Sequence, residues 1–279
     1  MTPLRHRMIE DLEIRNYSPG TIENYVRYVA GFSRHFWRSP ERLGPEELRT
    51  YQLYLIKTKR VSWSYFNCIV CALRFLYVVT LGQPDMVQRL PYAKKPKKLP
   101  TVLSLDEVRR FLGAIGNAKH RMVLITAYAG GLRISETLRL QATDIDSQRT
   151  VLHIHLGKGR KDRMVPLSDK LLMLLRAYYA EQRPGTYLFP GQTDRPLSPK
   201  SIQEACKRAR KAAGLRKRVT AHTMRHSYAT HMLEAGTDLR TLQVILGHSS
   251  ISSTAIYLHV RRHRLAAARS PLDLIDLES

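Results

Sequence analysis

The chain has 279 residues, 43% of them hydrophobic, and carries 46 Lys and Arg against 23 Asp and Glu, a formal net charge of +23. This length suits two modest domains or one large one with a real core, and positive charge spread along the whole chain points to a polyanionic partner for both halves. Three cysteines, no signal-peptide pattern and no unbroken apolar run of membrane length argue against a disulfide scaffold and a membrane protein, and suit a reducing, cytoplasmic setting.

Residues 1–90 read as four helices. Leu4, Met8 and Leu12 recur at helical spacing. Ser18-Pro19 supplies an N-cap and a proline at the first helical position, followed by an apolar face of Ile22, Tyr25, Val29, Phe32 and Phe36. Gly44-Pro45 opens a third helix with Leu48, Tyr51 and Leu55, and the fourth runs from about Ser62 to Val79. Its aromatic stripe reads as core rather than a stacking platform. Cys68 and Cys71 lie in the apolar run FNCIVCALRFLYVV and read as small buried residues, because no second pair completes a zinc site.

Residues 91–100, PYAKKPKKLP, read as an interdomain linker. Three prolines favour an extended path, and Lys94, Lys95, Lys97 and Lys98 are natural partners for backbone phosphates. The second domain, residues 101–279, begins with a capping-box pattern from Ser104 to Glu107. A helix from Arg121 to Ala129 stops at Gly130-Gly131, and Arg133 opens the next, where a positive helix end would reinforce anion binding. Thr150–His155 and Arg163–Leu167 read as a β-hairpin around GKGRKD, and the remainder is mainly helical, with a basic loop of Arg216, Lys217 and Arg218. The fold class expected is mainly α with a small antiparallel β-sheet.

The chemistry concentrates in two places. His222, Arg225, His248 and Tyr257 fall between residues 222 and 257, and Arg133 stands well upstream. Two arginines can neutralise and orient the non-bridging oxygens of a phosphodiester. A histidine can move a proton near neutral pH, and a tyrosine can serve as nucleophile once the cost of its proton is lowered. His222 lies three residues before Arg225, so one helical face can bring both to a phosphate. Lys158, flanked by glycines, is the candidate acid for the departing 5′ oxygen, with Arg160 and Lys161 as competing or additional phosphate contacts. No acidic residue stands at a convincing ligand spacing from the histidines and HExxH is absent, so no metal and no cofactor are expected. His226 and His231 read as packing or hydrogen-bonding residues.

GLRISETLRL, HLGKGRKDRMVPL, HTMRHSYATHMLEAG and LGHSSISSTAIYLHV occur in that order between residues 103 and 260, and Tyr257 follows Arg225 by 32 residues. These four segments resemble the boxes of the tyrosine recombinase, or phage integrase, family. The resemblance implies an N-terminal helical, SAM-like core-binding domain and a mixed α/β catalytic domain that clamp duplex DNA. It implies catalysis by Arg133, Lys158, His222, Arg225, His248 and Tyr257, with a 3′-phosphotyrosyl intermediate and a Holliday junction, as a homotetramer on two sites and with possible accessory proteins. The apolar tail after Val260 could then fold back on its own domain or dock on a neighbouring protomer. A type IB topoisomerase shares the nucleophile and phosphate-binding set, and a catalytically silent DNA-binding regulator could share the fold.

Overall fold

The computed structural model describes residues 2–88, 90–94, 99–155, 162–192 and 195–258. Lys95, Lys97, Lys98, Lys158, Arg160, Lys161 and the tail from 259 onward therefore lie outside the described residues. The chain divides into two compact units, Met1–Lys97 and Lys98–Ser279.

The first unit contains α1 (Pro3–Ile14), α2 (Pro19–Phe36), α3 (Pro45–Leu53) and α4 (Trp63–Phe75). The capping chemistry reads directly from the sequence. Ser18 accepts a bond from Thr21 N–H, and Ser62 accepts one from Tyr65 N–H. Glu47 reaches back to the Gly44 N–H at 2.8 Å. The stripes of α2 and α4 meet in a core of Phe32, Phe66, Leu73, Leu76 and Tyr77, closed by Met8 and Leu12 from α1. Both α3 and α4 end in a π-helical turn, Tyr54–Thr58 and Leu76–Thr80. The segment Trp63–Thr80 is long and apolar enough to cross a membrane by length and composition, yet half of it is buried in this unit.

One detail departs from expectation. Cys68 is exposed and Cys71 is only half-buried, because α4 turns Phe66, Ile69, Val70 and Leu73 to the core and leaves residue 68 on the outer side. The chain beyond α4 is tied back on the same unit. Arg74 donates to the carbonyls of Val87 and Leu90, and Asn67 exchanges two hydrogen bonds with Ala93.

In the second unit, α5 (Leu105–Gly113), α6 (Ala118–Ala129) and the one-turn α7 (Ile134–Thr137) lead into an antiparallel sheet. The sheet comprises β1 (Ile145–Asp146), β2 (Val151–Ile154) and β3 (Arg163–Pro166) in that order, with Leu152 opposite Val165 and Ile154 opposite Arg163. The hairpin was legible in the sequence; β1, two residues long, carried no periodic signal. Helices α8 (Asp169–Gln182), α9 (Pro199–Ala212), α10 (Ala221–Glu234), α11 (Leu239–Leu246) and α12 (Ser252–Ala255) complete the unit.

α10 is the centre of this unit, buried on most sides and packed against α6. Most of its buried polar side chains are bonded, as burial demands, with the Thr230 hydroxyl an exception. Ser227 donates to the Thr223 carbonyl and accepts from Leu103 N–H. His231 must donate from Nε2 to the Leu103 carbonyl, so its Nδ1 accepts from the Tyr128 hydroxyl at 2.8 Å.

Gly131, in the turn between α6 and α7, has a φ of +58°, and a Cβ there would lie 2.4 Å from the Tyr228 ring. Replacement by alanine therefore combines left-handed backbone strain with overpacking. Gly131→Ala is expected to lower the unfolding free energy by roughly 2–4 kcal/mol in urea denaturation.

Candidate active site

The turn after Gly131 places Arg133 as the N-cap of α7, with its backbone N–H bonded to Glu136 Oε2 at 2.8 Å. α7 has four residues, too few for the helix dipole expected there. The charge at this point comes from side chains. Arg133 donates to Glu136 Oε1 at 2.7 Å and to the Gly247 carbonyl at 3.2 Å. Arg163, at the start of β3, grips both oxygens of Glu136, at 2.9 and 2.7 Å, and its Nε donates to the Ile245 carbonyl at 2.8 Å. Arg225, on α10 and 1% exposed, donates to the carbonyls of Gly131 and Leu246. Its guanidinium is 3.9 Å from Glu136.

Three arginines thus converge on one carboxylate and on three successive carbonyls at the end of α11. The sequence named two of the arginines. Arg163 and Glu136 were missed, and their signal was slight: a charged residue inside a β-strand next to apolar positions, and an acid one turn after Arg133.

The titratable groups respond to this cluster. Burial pushes the Glu136 carboxyl up, but its bonds to Arg163 and Arg133 outweigh that and hold it at about 2. Burial and the neighbouring Arg133 lower Arg225 to about 10, with Glu136 acting in the opposite sense. His222, on the first turn of α10, is partly shielded from solvent by its neighbours, and this and then Arg225 and Arg133 lower its pKa. His248, just beyond the left-handed Gly247 that ends α11, is lowered to about 4 by burial and then by Arg225, Arg133 and Arg163. Its Nδ1 is 2.9 Å from the Thr254 hydroxyl, which holds the ring in place.

Tyr257 follows α12 and is 2% exposed. Burial raises its pKa, while Arg225 and Arg133 pull it down. Its ring lies parallel to that of His248, with centroids 6.5 Å apart. Its hydroxyl is 2.9 Å from Nδ1 of His226, a residue the sequence had marked only for packing or hydrogen bonding.

The structure therefore gathers Arg133, His222, Arg225, His248 and Tyr257 in one place. Lys158, Arg160, Lys161, Lys95, Lys97 and Lys98 lie outside the described residues. Lys94 is exposed in the first unit, and Arg216, Lys217 and Arg218 are exposed before α10. Lys217 is already engaged, donating to Glu107 at 2.6 Å and to the Val102 carbonyl at 3.0 Å, which leaves it less free for a phosphate. Among the described residues no group of three or more His, Cys, Asp or Glu side chains is arranged to hold a metal ion.

Glu136 is the sole carboxylate shown to bind these arginines among the described residues, so its loss leaves buried cations facing one another. Glu136→Gln is expected to destabilise the fold by about 3–5 kcal/mol. The carboxyl is lower when folded than the ordinary 4.5, so its contribution, about 3 kcal/mol, is present above that value and lost as pH falls toward about 2. Urea titrations across this range should show the loss in the wild type and not in Glu136→Gln.

Comparison with known proteins identifies the family. The phage integrase family profile matches residues 101–264, and the profile of the phage integrase N-terminal SAM-like domain matches residues 4–85. An integrase/recombinase of Sinorhizobium fredii, y4qK, is 47% identical over 278 residues, covering 99% of this chain and 90% of the relative. Tyrosine recombinase XerA of Thermococcus onnurineus is 36% identical over 274 residues, covering 95% and 93%. The crystal structure of the XerH site-specific recombinase, bound to a palindromic difH substrate in a post-cleavage complex, superposes with a TM-score of 0.71 at 26% identity, covering 93% of this chain and 82% of that one. The chain belongs to the phage integrase family and is a site-specific recombinase of the tyrosine type.

Proposed function

We propose that this recombinase acts on double-stranded DNA, with Tyr257 as the nucleophile that becomes esterified to a 3′ phosphate. The observation that carries the reading is the convergence of Tyr257, His222 and His248 on the arginine cluster, from four separate parts of the chain. Three guanidiniums against one carboxylate leave a surplus of positive charge in a largely buried place. One phosphodiester, and the further charge that develops during attack, supply the missing anion. Arg133 and Arg225 would stabilise the non-bridging oxygens. Arg225 uses two donors on carbonyls and retains the others of its five-donor fork.

His222 would assist transfer of the tyrosine proton, and His248 would donate to a non-bridging oxygen. Lys158 is assigned the protonation of the departing 5′ oxygen, with Arg160 and Lys161 on nearby phosphates. The energy of the broken bond stays in the phosphotyrosyl ester. Rejoining therefore needs no ATP, and the arginines supply the charge a metal would otherwise provide.

In this reading the first unit is the core-binding domain and residues 91–100 the linker, with Lys94, Lys95, Lys97 and Lys98 on the DNA backbone. Arg216, Lys217 and Arg218 contribute further phosphate contacts. The active assembly is a homotetramer on two recombination sites that passes through a Holliday junction.

A nicked suicide substrate tests the nucleophile. The wild type should accumulate a covalent protein–DNA adduct on a denaturing gel, and Tyr257→Phe should bind the same duplex without forming one. An adduct with the Phe variant would overturn the assignment. Arg133→Ala is expected to slow adduct formation by about 10²–10³-fold.

A further inference from the structure

The Tyr257 hydroxyl meets His226 Nδ1 at 2.9 Å, with ring centroids 5.6 Å apart. The other two histidines are engaged differently. His248 is directed to Thr254, and His222 contacts the His226 ring edge-on at 4.4 Å between centroids. Resting on the reading of Tyr257 as the nucleophile, we propose that His226 accepts the tyrosine proton when the strand is cut and returns it when the strand is rejoined.

The surroundings fit a proton acceptor. On its own helix His226 faces His222 and Arg225. The residue it bonds, Tyr257, feels Arg225 and also Arg133 from the start of α7, and His248 lies across the Tyr257 ring. Burial, His222 and Arg225 push His226 down to about 4, so at neutral pH it is uncharged and its Nδ1 lone pair can accept the hydroxyl proton. In the free protein a proton on His226 would be repelled by Arg225. A bound phosphodiester offsets that charge, so His226 becomes more basic when the substrate is in place.

The step balances. The Tyr257 O–H bond breaks and its proton goes to Nδ1, while an Oη lone pair forms the bond to phosphorus. The bond from phosphorus to the 5′ oxygen breaks, and that oxygen keeps the electron pair and takes a proton from the acid assigned to Lys158. Rejoining runs each transfer backwards. His222 then acts on the tyrosine through the ring it touches, by tuning His226.

Single-turnover cleavage of the suicide substrate by the full chain, followed across pH, is the test. His226→Ala should cleave about 10²–10⁴-fold more slowly while binding DNA as the wild type does, and added imidazole should restore part of the rate. His226→Asn keeps a hydrogen-bonding group near the position of Nδ1 but cannot take the proton, so it should be as slow as the alanine variant. The wild-type rate should fall on the acid side as His226 becomes charged, and both variants should lose that limb. If His226→Ala fails to fold, the asparagine variant and the two pH profiles decide.

Cleavage by His226→Asn within about threefold of the wild type would reduce His226 to a holding role and overturn the proposal. Faster cleavage by either variant would do so as well, since the hydrogen bond would then restrain the nucleophile. Tyr257→Phe in the same assay separates the two readings. An adduct with that variant sinks the nucleophile itself, whereas an adduct absent there and undiminished in His226→Asn sinks only the proton acceptor.

Discussion

The end of α11 and the carboxylate of Glu136 hold three guanidiniums that would otherwise repel one another. Ile245, Leu246 and Gly247 present successive carbonyls, and these accept from Arg163, Arg225 and Arg133 respectively. Carbonyls in the last turn of a helix have no partner within the helix and carry the negative end of its dipole. Here arginines from β3, α10 and the start of α7 satisfy them. Gly247 makes this possible, because its left-handed backbone ends the helix and a Cβ on it would lie 2.9 Å from the Arg163 side chain. Glu136 completes the arrangement by gripping two of the three arginines directly.

Burial first, and then the cation surplus, set the state of the other groups. His222, His226 and His248 all lie near Arg225 and are all driven toward the neutral form. Tyr257 is pulled two ways, with burial favouring the phenol and the arginines favouring the phenolate. A free site of this kind is electrostatically unfinished. Desolvated positive charge has already been assembled, so an anion that enters meets donors that need little rearrangement, which is the condition for strong stabilisation of developing charge. The same surplus over the whole chain, +23, favours encounter with a polyanion before any specific contact forms.

Much of the fold was legible because its signals are local. Ser18, Ser62 and Ser104 each cap the helix the sequence assigned to them, and the apolar stripes of α2 and α4 form the first core. The pairing of β2 with β3 follows from two short β-rich runs around a glycine-containing turn. What was hidden depends on distance in sequence. Arg163 is 27 residues from Glu136 and 82 from Ile245, and nothing local distinguishes it from a surface charge on a strand. His226 reads as one more polar residue on α10 until Tyr257, 31 residues later, returns to it. The helix after Arg133 was expected to provide a dipole, but at one turn it is too short, and Glu136 and α11 set the field instead. Cys68 was misplaced for a simpler reason: an apolar run longer than the buried face of a helix must leave some members outside.

The arginine cradle and Tyr257 rest on different kinds of contact. Arg133, Arg163 and Arg225 are fixed by Glu136, the Gly131 carbonyl and the end of α11, all within a packed core. Tyr257 is reached through α12, four residues long, and the partner shown for its hydroxyl among the described residues is a single histidine. The Tyr257 ring packs in the same core, and α12 is tied to the end of α11 by the bond between His248 and Thr254. A cradle held in this way suits a reaction that must run in both directions. Cleavage and rejoining pass through the same charged phosphorus centre, so the groups that stabilise it should not move between the two steps. A cradle anchored on backbone carbonyls and on the Glu136 carboxylate meets that requirement.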